Sequence, residues 1–234
     1  MKCFNPVGGN CPCCRSIPIK YGKSGNQQRY YCKNCKKTWL TDYTKQAFLP
    51  SVNSAIVVLL KEGCGIRSIS RLLHISATTV ISRIQKIAES IKKPAILMEK
   101  FYEVDELKTY VKKKENDYWV IYALDKESRQ VVDFKTGKRN KKNLKRVTDT
   151  LLLAKAKQIF TDGLDIYRQI IPAALHKVKR YGTNHIERKN LTIRTHLKRL
   201  NRKTIAFSRS LLMLKACLKI YFWYNNAMNA PGVN

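Results

Sequence analysis

The stretch "KFYEVDELKTYV" (Lys100–Val111) is followed closely by "DYWVIYALDKES" (Asp117–Ser128) and "RQVVDFKTG" (Arg129–Gly137). All three are rich in residues that favour strands, such as Tyr, Val, Ile and Trp, and the first two alternate apolar with polar residues. We therefore predict three adjacent strands, and these strands set the fold of the larger part of the chain.

Helical and strand-like segments alternate after these strands. "KNLKRVTDTLLLAKA" is predicted to be a helix, "KQIFTDG" a short strand, "DIYRQIIPAAL" a helix up to Pro172, and "HKVKRYG" a brief strand. Two more helices complete the chain. Three strands, a helix, a strand, a helix, a strand and helices predict an α/β fold with a mixed sheet. The order resembles the ribonuclease-H-like plan.

Six of the eight cysteines lie in the first forty residues. Cys11 and Cys14 are separated by two residues, Cys32 and Cys35 have the same spacing, and 17 residues separate the two pairs. This pattern predicts a four-cysteine structural zinc site, because each C-x-x-C turn brings two thiolates to one tetrahedral ion. The alternative is a redox C-x-x-C motif, which needs no second pair. Cys13 can replace one of its neighbours as a ligand.

The next segment changes to helical periodicity. "SVNSAIVVLLKEG" is a predicted helix, and "GIRSISRLLHIS" places Ile66, Ile69, Leu72 and Leu73 on one stripe. Ser76 then caps the longer helix "ATTVISRIQKIAESI". This pattern predicts a helix-turn-helix, whose second helix faces base edges in the major groove of DNA. A three-helix core without DNA contact has the same periodicity. The residues expected to contact DNA here are Thr78, Thr79 and Arg83.

The composition predicts a folded protein with a strongly positive surface. The 234 residues include 46 Lys and Arg against 16 Asp and Glu, a formal net charge of +30, and 44% are hydrophobic. Nucleic acid is the usual polyanion for such a surface. No basic amphipathic segment has the Trp- and Phe-rich face that membrane binding needs. "MKCFNPVGGNCPCC" lacks the apolar region of a signal peptide, and "AIVVLL" is too short to span a bilayer. We expect a cytoplasmic, nucleoid-associated prokaryotic protein without a membrane partner.

Three carboxylates fall where such a fold gathers catalytic groups. Asp105 lies in the first strand of the sheet, Asp162 follows the fourth strand, and Glu187 lies near the start of a helix. Carboxylates that share one site bind Mg²⁺, and two ions roughly 3.5–4 Å apart serve in-line phosphoryl displacement. Structural alternatives exist for two of the three. Asp162 is also a turn residue before Gly163, and Glu187 is also the N3 partner of an Asn184 N-cap.

Glu187 is the only carboxylate after Asp165, and it lies in a basic stretch. On 3.6-residue geometry Glu187 and Arg194 lie about 20° apart, and Lys198 continues their stripe. We therefore expect the glutamate to bind the metal while Arg188, Arg194 and Lys198 bind the DNA backbone. The core face of this helix is predicted to consist of Ile186, Ile193, Leu197 and Leu200.

These features together resemble the transposases of the insertion-sequence-one family. The resemblance is carried by the cysteine pairs, the helix-turn-helix, "DELKTYV", "FTDGLDIYRQIIP" and "TNHIERKNLTIRTHLKRLNRKTIAFSRS", and it spans about Cys11 to Asn225. It implies a DDE-type catalytic domain in which Arg194 is the basic residue one heptad beyond the glutamate. His185 receives no role from it. The metal-binding triad that the resemblance implies is Asp105, Asp162 and Glu187.

We therefore expect three domains: a zinc ribbon (1–48), a helix-turn-helix domain (49–94) and a ribonuclease-H-like DDE catalytic domain (95–234). The expected protein is a DNA transposase that binds the terminal inverted repeats of double-stranded DNA. With two Mg²⁺ ions, or Mn²⁺ in their place, it cleaves the element ends and joins the 3′-hydroxyls to target DNA. Joining two ends in one event requires at least a homodimer. The alternatives are a nuclease or resolvase without strand transfer, and a DNA-binding repressor.

Overall fold

The structure, a computed structural model, describes residues 9–40, 47, 49, 51–179, 182–201, 204 and 206–224. Within these residues no helix is both long and apolar enough to cross a lipid bilayer. The strands are β1 (Ile19–Ser24), β2 (Gln27–Tyr31), β3 (Thr38–Leu40), β4 (Phe101–Val111), β5 (Lys113–Asp125), β6 (Val131–Gly137), β7 (Gln158–Phe160) and β8 (His176–Lys177). The helices are α1 (Ser51–Lys61), α2 (Ile66–Leu72), α3 (Ala77–Ser90), α4 (Lys141–Leu153), α5 (Asp165–Ile170), α6 (Asn184–His196) and α7 (Leu211–Trp223).

The N-terminal part of the described chain is a small antiparallel sheet in the order β1-β2-β3. One side of it packs on the cysteines: Trp39 is buried there against Cys11 and Cys32, and Tyr30 stacks on Trp39 with ring centroids 6.0 Å apart. A sheet this short buries little apolar surface, so a shared metal is the expected source of its stability.

Helices α1, α2 and α3 form a second core. Ser76 caps α3 as predicted, because its Oγ accepts a hydrogen bond of 3.1 Å from the backbone nitrogen of Thr79. The prediction that Leu72 lies on the buried stripe of α2 is wrong, since this side chain is 58% exposed. Ile69 enters the core, and Leu73, one turn later, packs at its edge where α2 ends.

The larger part of the chain is a five-stranded mixed sheet in the order β6-β5-β4-β7-β8. Strands β4, β5 and β6 pair antiparallel, whereas β7 and β8 run parallel to β4. The predicted α/β class and the predicted order of strands and helices are confirmed. Alternate residues of β4 serve two cores. Val104 packs under α4 and α5, and Leu107 packs under α6 and α7.

Helix α6 is shorter than predicted. It ends at His196, and the extended Leu197 (φ −109°, ψ 90°) leads into a 3-10 turn at Lys198–Leu200. Lys198 therefore does not continue the stripe of Glu187. The predicted core face is nevertheless confirmed, because the turn keeps the apolar side chains on the sheet. The buried residues are Ile186, Ile193, Leu197 and Leu200.

Helix α7 gives side chains to two cores. Leu214 and Leu218 are buried against the sheet, whereas Cys217 and Ile220 are buried against α1 and α3. The three N-terminal helices and the sheet are thus packed on opposite sides of one helix. The predicted domain boundaries stay predictions, and the predicted end of the last helix beyond Tyr224 lies outside the described residues.

Candidate functional site

The structure brings together the four cysteines predicted to bind zinc. The four Sγ atoms all lie within 4.8 Å of one another; they belong to Cys11, Cys14, Cys32 and Cys35. The Sγ atoms of Cys11 and Cys35 are 3.5 Å apart, and those of Cys14 and Cys32 are 3.4 Å apart. Zinc–sulfur bonds of 2.3 Å give tetrahedral edges of about 3.8 Å, so the four thiols fit one Zn²⁺. Cys13 lies outside this set.

Two of the three predicted catalytic carboxylates meet at the end of β7. Oxygen atoms of Asp105, Glu106 and Asp162 all lie within 4.8 Å of one another. Strand β7 ends at Phe160, which pairs with Glu103 of β4. The chain after β7 therefore passes beside the next residues of β4. This explains why Asp162 approaches two consecutive β4 residues whose side chains leave opposite faces of the sheet.

Asp105 is held in place by two hydrogen bonds. Asn190 of α6 donates to its Oδ2 at 2.6 Å, and the backbone nitrogen of Glu106 donates to its Oδ1 at 2.7 Å. Burial is the main cause that raises the pKa of Asp105 to about 6, and the charges of Glu106 and Asp162 raise it further. The charges of Glu106 and Asp162 therefore disfavour the ionised form of Asp105, an effect that a bound cation would reverse.

Glu106 was not predicted as a site residue. Its Oε2 is 3.1 Å from Nη2 of Arg139, and its Oε1 accepts a hydrogen bond from the hydroxyl of the fully buried Tyr167. Burial nevertheless raises the pKa of Glu106 above its usual value. The available signal was a second acidic residue directly after Asp105, where it breaks the alternation of polar and apolar residues. Its partners, which come from distant segments, gave no local signal.

Asp162 has both of the roles that the sequence left open. Its carboxylate joins the cluster, and its Oδ1 also accepts a hydrogen bond of 3.1 Å from the backbone nitrogen of Leu164. The second contact shapes the turn between β7 and α5 and leaves the side chain exposed.

Glu187 lies outside the carboxylate cluster, on the wall of a cavity that Asp105 and Glu106 also line. The cavity has a volume of about 660 Å³ and is lined by Asp105, Glu106, Asn190 and Arg194 as well. The exposed Glu187 carboxylate accepts a hydrogen bond of 2.8 Å from Oγ1 of its own helix N-cap residue, which is Thr183. The alternative in which Asn184 is the N-cap is therefore wrong, because α6 begins at Asn184.

A buried ion pair fixes the start of α6 against β4. Glu103 accepts hydrogen bonds from the backbone nitrogen of Ile186, at 2.7 Å, and pairs with Nδ1 of His185, at 2.8 Å. Lys126 lies 3.4 Å from the same carboxylate and donates to the carbonyl of Gly182 at 2.8 Å. Because Glu103 is fully buried, these contacts satisfy a charge that would otherwise be costly. His185 thus positions the helix that carries Glu187.

The residues predicted to bind DNA on α6 and the following turn differ in their accessibility. Arg188 and Lys198 are exposed. Arg194 is half-buried on the cavity wall and donates to the carbonyl of Leu200 at 3.0 Å. A DNA contact by any of the three remains a prediction.

The predicted DNA-binding residues of α3 also differ. Thr78 is exposed at the start of the helix, and its hydroxyl and that of Thr79 each lie 2.8 Å from Oγ of Ser76. Arg83 donates to Oδ1 of Asn53 at 3.2 Å and to the carbonyl of Ala47 at 2.8 Å. Its guanidinium is thus engaged with α1 and the segment before it. The DNA contacts of these residues likewise stay predictions.

Comparison with known proteins identifies the family of the chain. The family described as "IS1 transposase" matches residues 99–226. Insertion element IS1 protein InsB of Shigella flexneri is 37% identical over 108 residues, which cover 46% of this chain and 82% of that protein. Insertion element IS1 2 protein InsB of Escherichia coli (strain K12) is 36% identical over 108 residues, which cover 46% of this chain and 65% of that protein.

A solved structure of the simian T-cell lymphotropic virus intasome in complex with PP2A regulatory subunit B56 gamma matches with a TM-score of 0.38 and 15% identity. The match covers 70% of this chain and 66% of that one, and it is too distant to support a structural assignment. The family match spans more than half of the residues and contains all the carboxylates of the cavity. The chain belongs to the IS1 transposase family.

Proposed function

We propose that this chain is a DNA transposase whose carboxylates at the end of β7 act in the cleavage and joining of DNA strands. The observation that carries the proposal is the convergence of Asp105, Glu106 and Asp162 in a chain of the IS1 transposase family. Glu187, on the wall of the same cavity, completes the set of acidic residues.

The fold supports this function. Three antiparallel strands followed by two parallel strands, with helices on both faces, agree with the ribonuclease-H-like plan. Helices α2 and α3 with the short turn between them agree with a helix-turn-helix. We assign the N-terminal sheet, with its four cysteines, as a zinc ribbon that helps α3 to bind the ends of the element.

The donor atoms of the cavity fit Mg²⁺ or Mn²⁺. Carboxylate oxygens are the ligands that these hard cations prefer, and few are needed because water and phosphate oxygens fill the other positions. Two such ions supply charge stabilisation for the attacking and leaving oxygens of the phosphodiester. Asp105 and Asp162 are the residues that would hold them, with Glu106 close enough to contribute. Glu187, on the same cavity wall, would be a further ligand once its carboxylate is released from Thr183.

The protein's other contribution is positioning. Asn190 fixes the orientation of the Asp105 carboxylate, and the hydrogen bond between Glu103 and His185 fixes the helix that carries Glu187. Arg188, Arg194 and Lys198 bind the phosphates of the DNA end beside the cavity. Orientation and preorganised charge supply most of the rate enhancement in phosphoryl transfer, since the protein contributes little covalent chemistry.

The test is a reaction of the purified chain with Mg²⁺ and a duplex carrying the inverted repeat beside its coding sequence. A transposase yields joined products, a nuclease or resolvase yields only nicks, and a repressor only binds the duplex. Glu187→Gln should abolish cleavage and joining but leave DNA binding intact, because only the metal-binding charge is lost. The control is Glu115→Gln, at an exposed position of β5. Retained joining by Glu187→Gln would show that the assignment of this glutamate is wrong.

A further inference from the structure

A second basic surface lies on α4 and the loop before it. The stretch "KTGKRNKKNLKR" (Lys135–Arg146) contains seven Lys or Arg in twelve residues and no acidic residue. It belongs neither to the proposed helix-turn-helix nor to the basic side of α6. Six of its side chains are exposed and form what we call the α4 basic surface: Lys138, Arg139, Lys141, Lys142, Lys145 and Arg146.

The basic residues of α4 all lie on one side of the helix. The four of them span about 140° of the helical circumference on 3.6-residue geometry. The opposite side is buried under the sheet through Leu144, Val147 and Leu151. The positive charges thus point into solvent along about 1.4 turns, a rise of about 7.5 Å.

Among the residues that the structure describes, only one of these six cations, Arg139, pairs with a carboxylate. Lys138 and Lys141 contact neutral oxygens, those of the Asp117 carbonyl and the Gln169 side chain. Among the described residues, no carboxylate oxygen lies within 4.0 Å of the charged nitrogens of Lys142, Lys145 or Arg146. Like charges this close together repel one another and destabilise the folded state unless an anionic partner covers them. The regular spacing of phosphates along a duplex suits such a row of cations.

The α4 basic surface begins at the carboxylate cluster. Arg139 contacts Glu106 at 3.1 Å, and Glu106 shares its cluster with Asp105 and Asp162. The cluster is therefore bordered by basic residues on both faces of the sheet, those of α4 on one face and those of α6 on the other. Leu144 and Ile186 show this division, because they are buried in the cores on opposite faces.

A single straight duplex cannot cover both surfaces, because the outward sides of α4 and α6 point away from each other. DNA resists sharp bending, with a persistence length of about 150 base pairs. We propose that the α4 basic surface binds a second DNA duplex through its phosphates, separately from the duplex held beside α6. The inference rests on the proposed function, since a transposase holds an element end and a target together. Phosphate contacts by Lys and Arg suit a target bound with little sequence preference.

The experiment uses the full chain with Ca²⁺ in place of Mg²⁺, so that no strand is cut. A biotinylated duplex carrying the inverted repeat is saturated with protein and immobilised, and a labelled 30-base-pair duplex of random sequence is added. The unsubstituted complex should retain the labelled duplex. The double variant Lys142→Gln, Lys145→Gln should retain at least about fivefold less. The slope of log affinity against log salt should become shallower by about 1.8, at about 0.9 per cation removed.

The matched control is the double variant Lys155→Gln, Lys157→Gln. It removes the same charge from two exposed residues in the segment between α4 and β7, and it should retain the labelled duplex as the unsubstituted chain does. Equal retention by the two double variants would overturn the proposal. The proposal would also be wrong if the unsubstituted complex retained no labelled duplex, or if the Lys142/Lys145 variant bound the immobilised duplex as weakly as the labelled one. Displacement of the labelled duplex by polyglutamate more readily than by unlabelled duplex would likewise contradict it.

Failure of the proposed function has a different signature. If the chain does not cleave DNA, the immobilised duplex stays intact after Mg²⁺ replaces Ca²⁺. Retention of the labelled duplex is independent of this result, because it requires only binding and no strand cleavage.

Discussion

Asp105 shows at the scale of one residue how the site conflicts with stability. Its carboxyl is buried beside two further acidic groups, and burial raises its pKa to about 6 from 3.8. Above about pH 6 the Asp105 carboxyl is ionised in both states, and its charge has a higher free energy in the folded protein than in the unfolded chain. Such stress is common where side chains are placed for function.

Asp105→Asn should therefore stabilise the metal-free protein at pH 8, by about 1–2 kcal/mol after a weakened hydrogen bond with Asn190 is subtracted. The unfolded state releases its proton first as pH rises, so the destabilisation by Asp105 is absent below about pH 4. It grows between about pH 4 and 6 and is complete above. Urea unfolding across this range measures it.

The control for this substitution is Asp165→Asn, which removes an exposed carboxylate and should change stability by no more than about 0.5 kcal/mol. Adding Mg²⁺ should raise the free energy of unfolding of the unsubstituted chain more than that of Asp105→Asn. An Asp105→Asn protein that is no more stable at pH 8 would contradict the account of a stressed carboxylate.

At the scale of the element, the N-terminal sheet depends on its four cysteines. Within residues 9–40 only Cys11, Cys32 and Trp39 are buried, and two of these three are cysteines. Cys13 lies beside these ligands in sequence, but its Sγ lies 2.7 Å from Nζ of Lys37 and it is exposed. The sheet should therefore unfold when the metal is removed, while the larger sheet remains folded.

Cys32→Ser should lose bound zinc and the structure of this sheet, whereas Cys13→Ser should keep both. Metal analysis of the purified proteins gives the zinc content. The difference in near-ultraviolet circular dichroism between the zinc-bound and zinc-free protein, to which Trp39 contributes, reports the fold of the sheet. Zinc loss in Cys13→Ser with retention in Cys32→Ser would reverse the ligand assignment.

Helix α6 shows how an element is positioned by contacts from outside its own sequence. Its start is held by Glu103, 83 residues before Ile186, and its middle by the hydrogen bond from Asn190 to Asp105. The two partners on β4 are two residues apart and so lie on the same face of the strand. One strand thus positions both a carboxylate of the cluster and the helix that carries Glu187.

At the scale of the whole molecule, the N-terminal helices contact the sheet domain at two places. Helix α7 belongs to both cores, and the turn after α1 meets the end of α6. At this turn Gly63 has φ +77°, and a Cβ there would lie 2.4 Å from the carbonyl oxygen of His196. Helices α1, α2 and α3 are thereby held in a fixed relation to the cavity that Asp105, Glu106 and Glu187 line.

Gly63→Ala should destabilise the protein by about 3 kcal/mol or more, because backbone strain adds to a clash with backbone that cannot move aside. Gly25→Ala is the control, since Gly25 has φ +59° with open space around it and should lose only about 1–2 kcal/mol. Thermal unfolding measures both. Equal losses would mean that the turn does not pack closely on α6.

The sequence by itself determined the elements and two of the clustered carboxylates. Alternation in Lys100–Gly137 gave the strands, helical periodicity gave α4 and the core face of α6, and cysteine spacing gave the four clustered thiols. Asp105 and Asp162 were found because a position on a strand or at its end is a local property. Such signals depend only on residues a few positions apart.

Only the tertiary structure decided which groups meet. Glu106 joins the cluster because β7 ends opposite Glu103, so that the chain after β7 brings Asp162 beside Asp105 and Glu106. Tyr167, which donates a hydrogen bond to Glu106, is 61 residues away in the sequence. Leu197 ends α6 early, although its helical periodicity continues, because the turn after it packs on the sheet. These outcomes depend on contacts between distant segments, whose free energy no local pattern encodes.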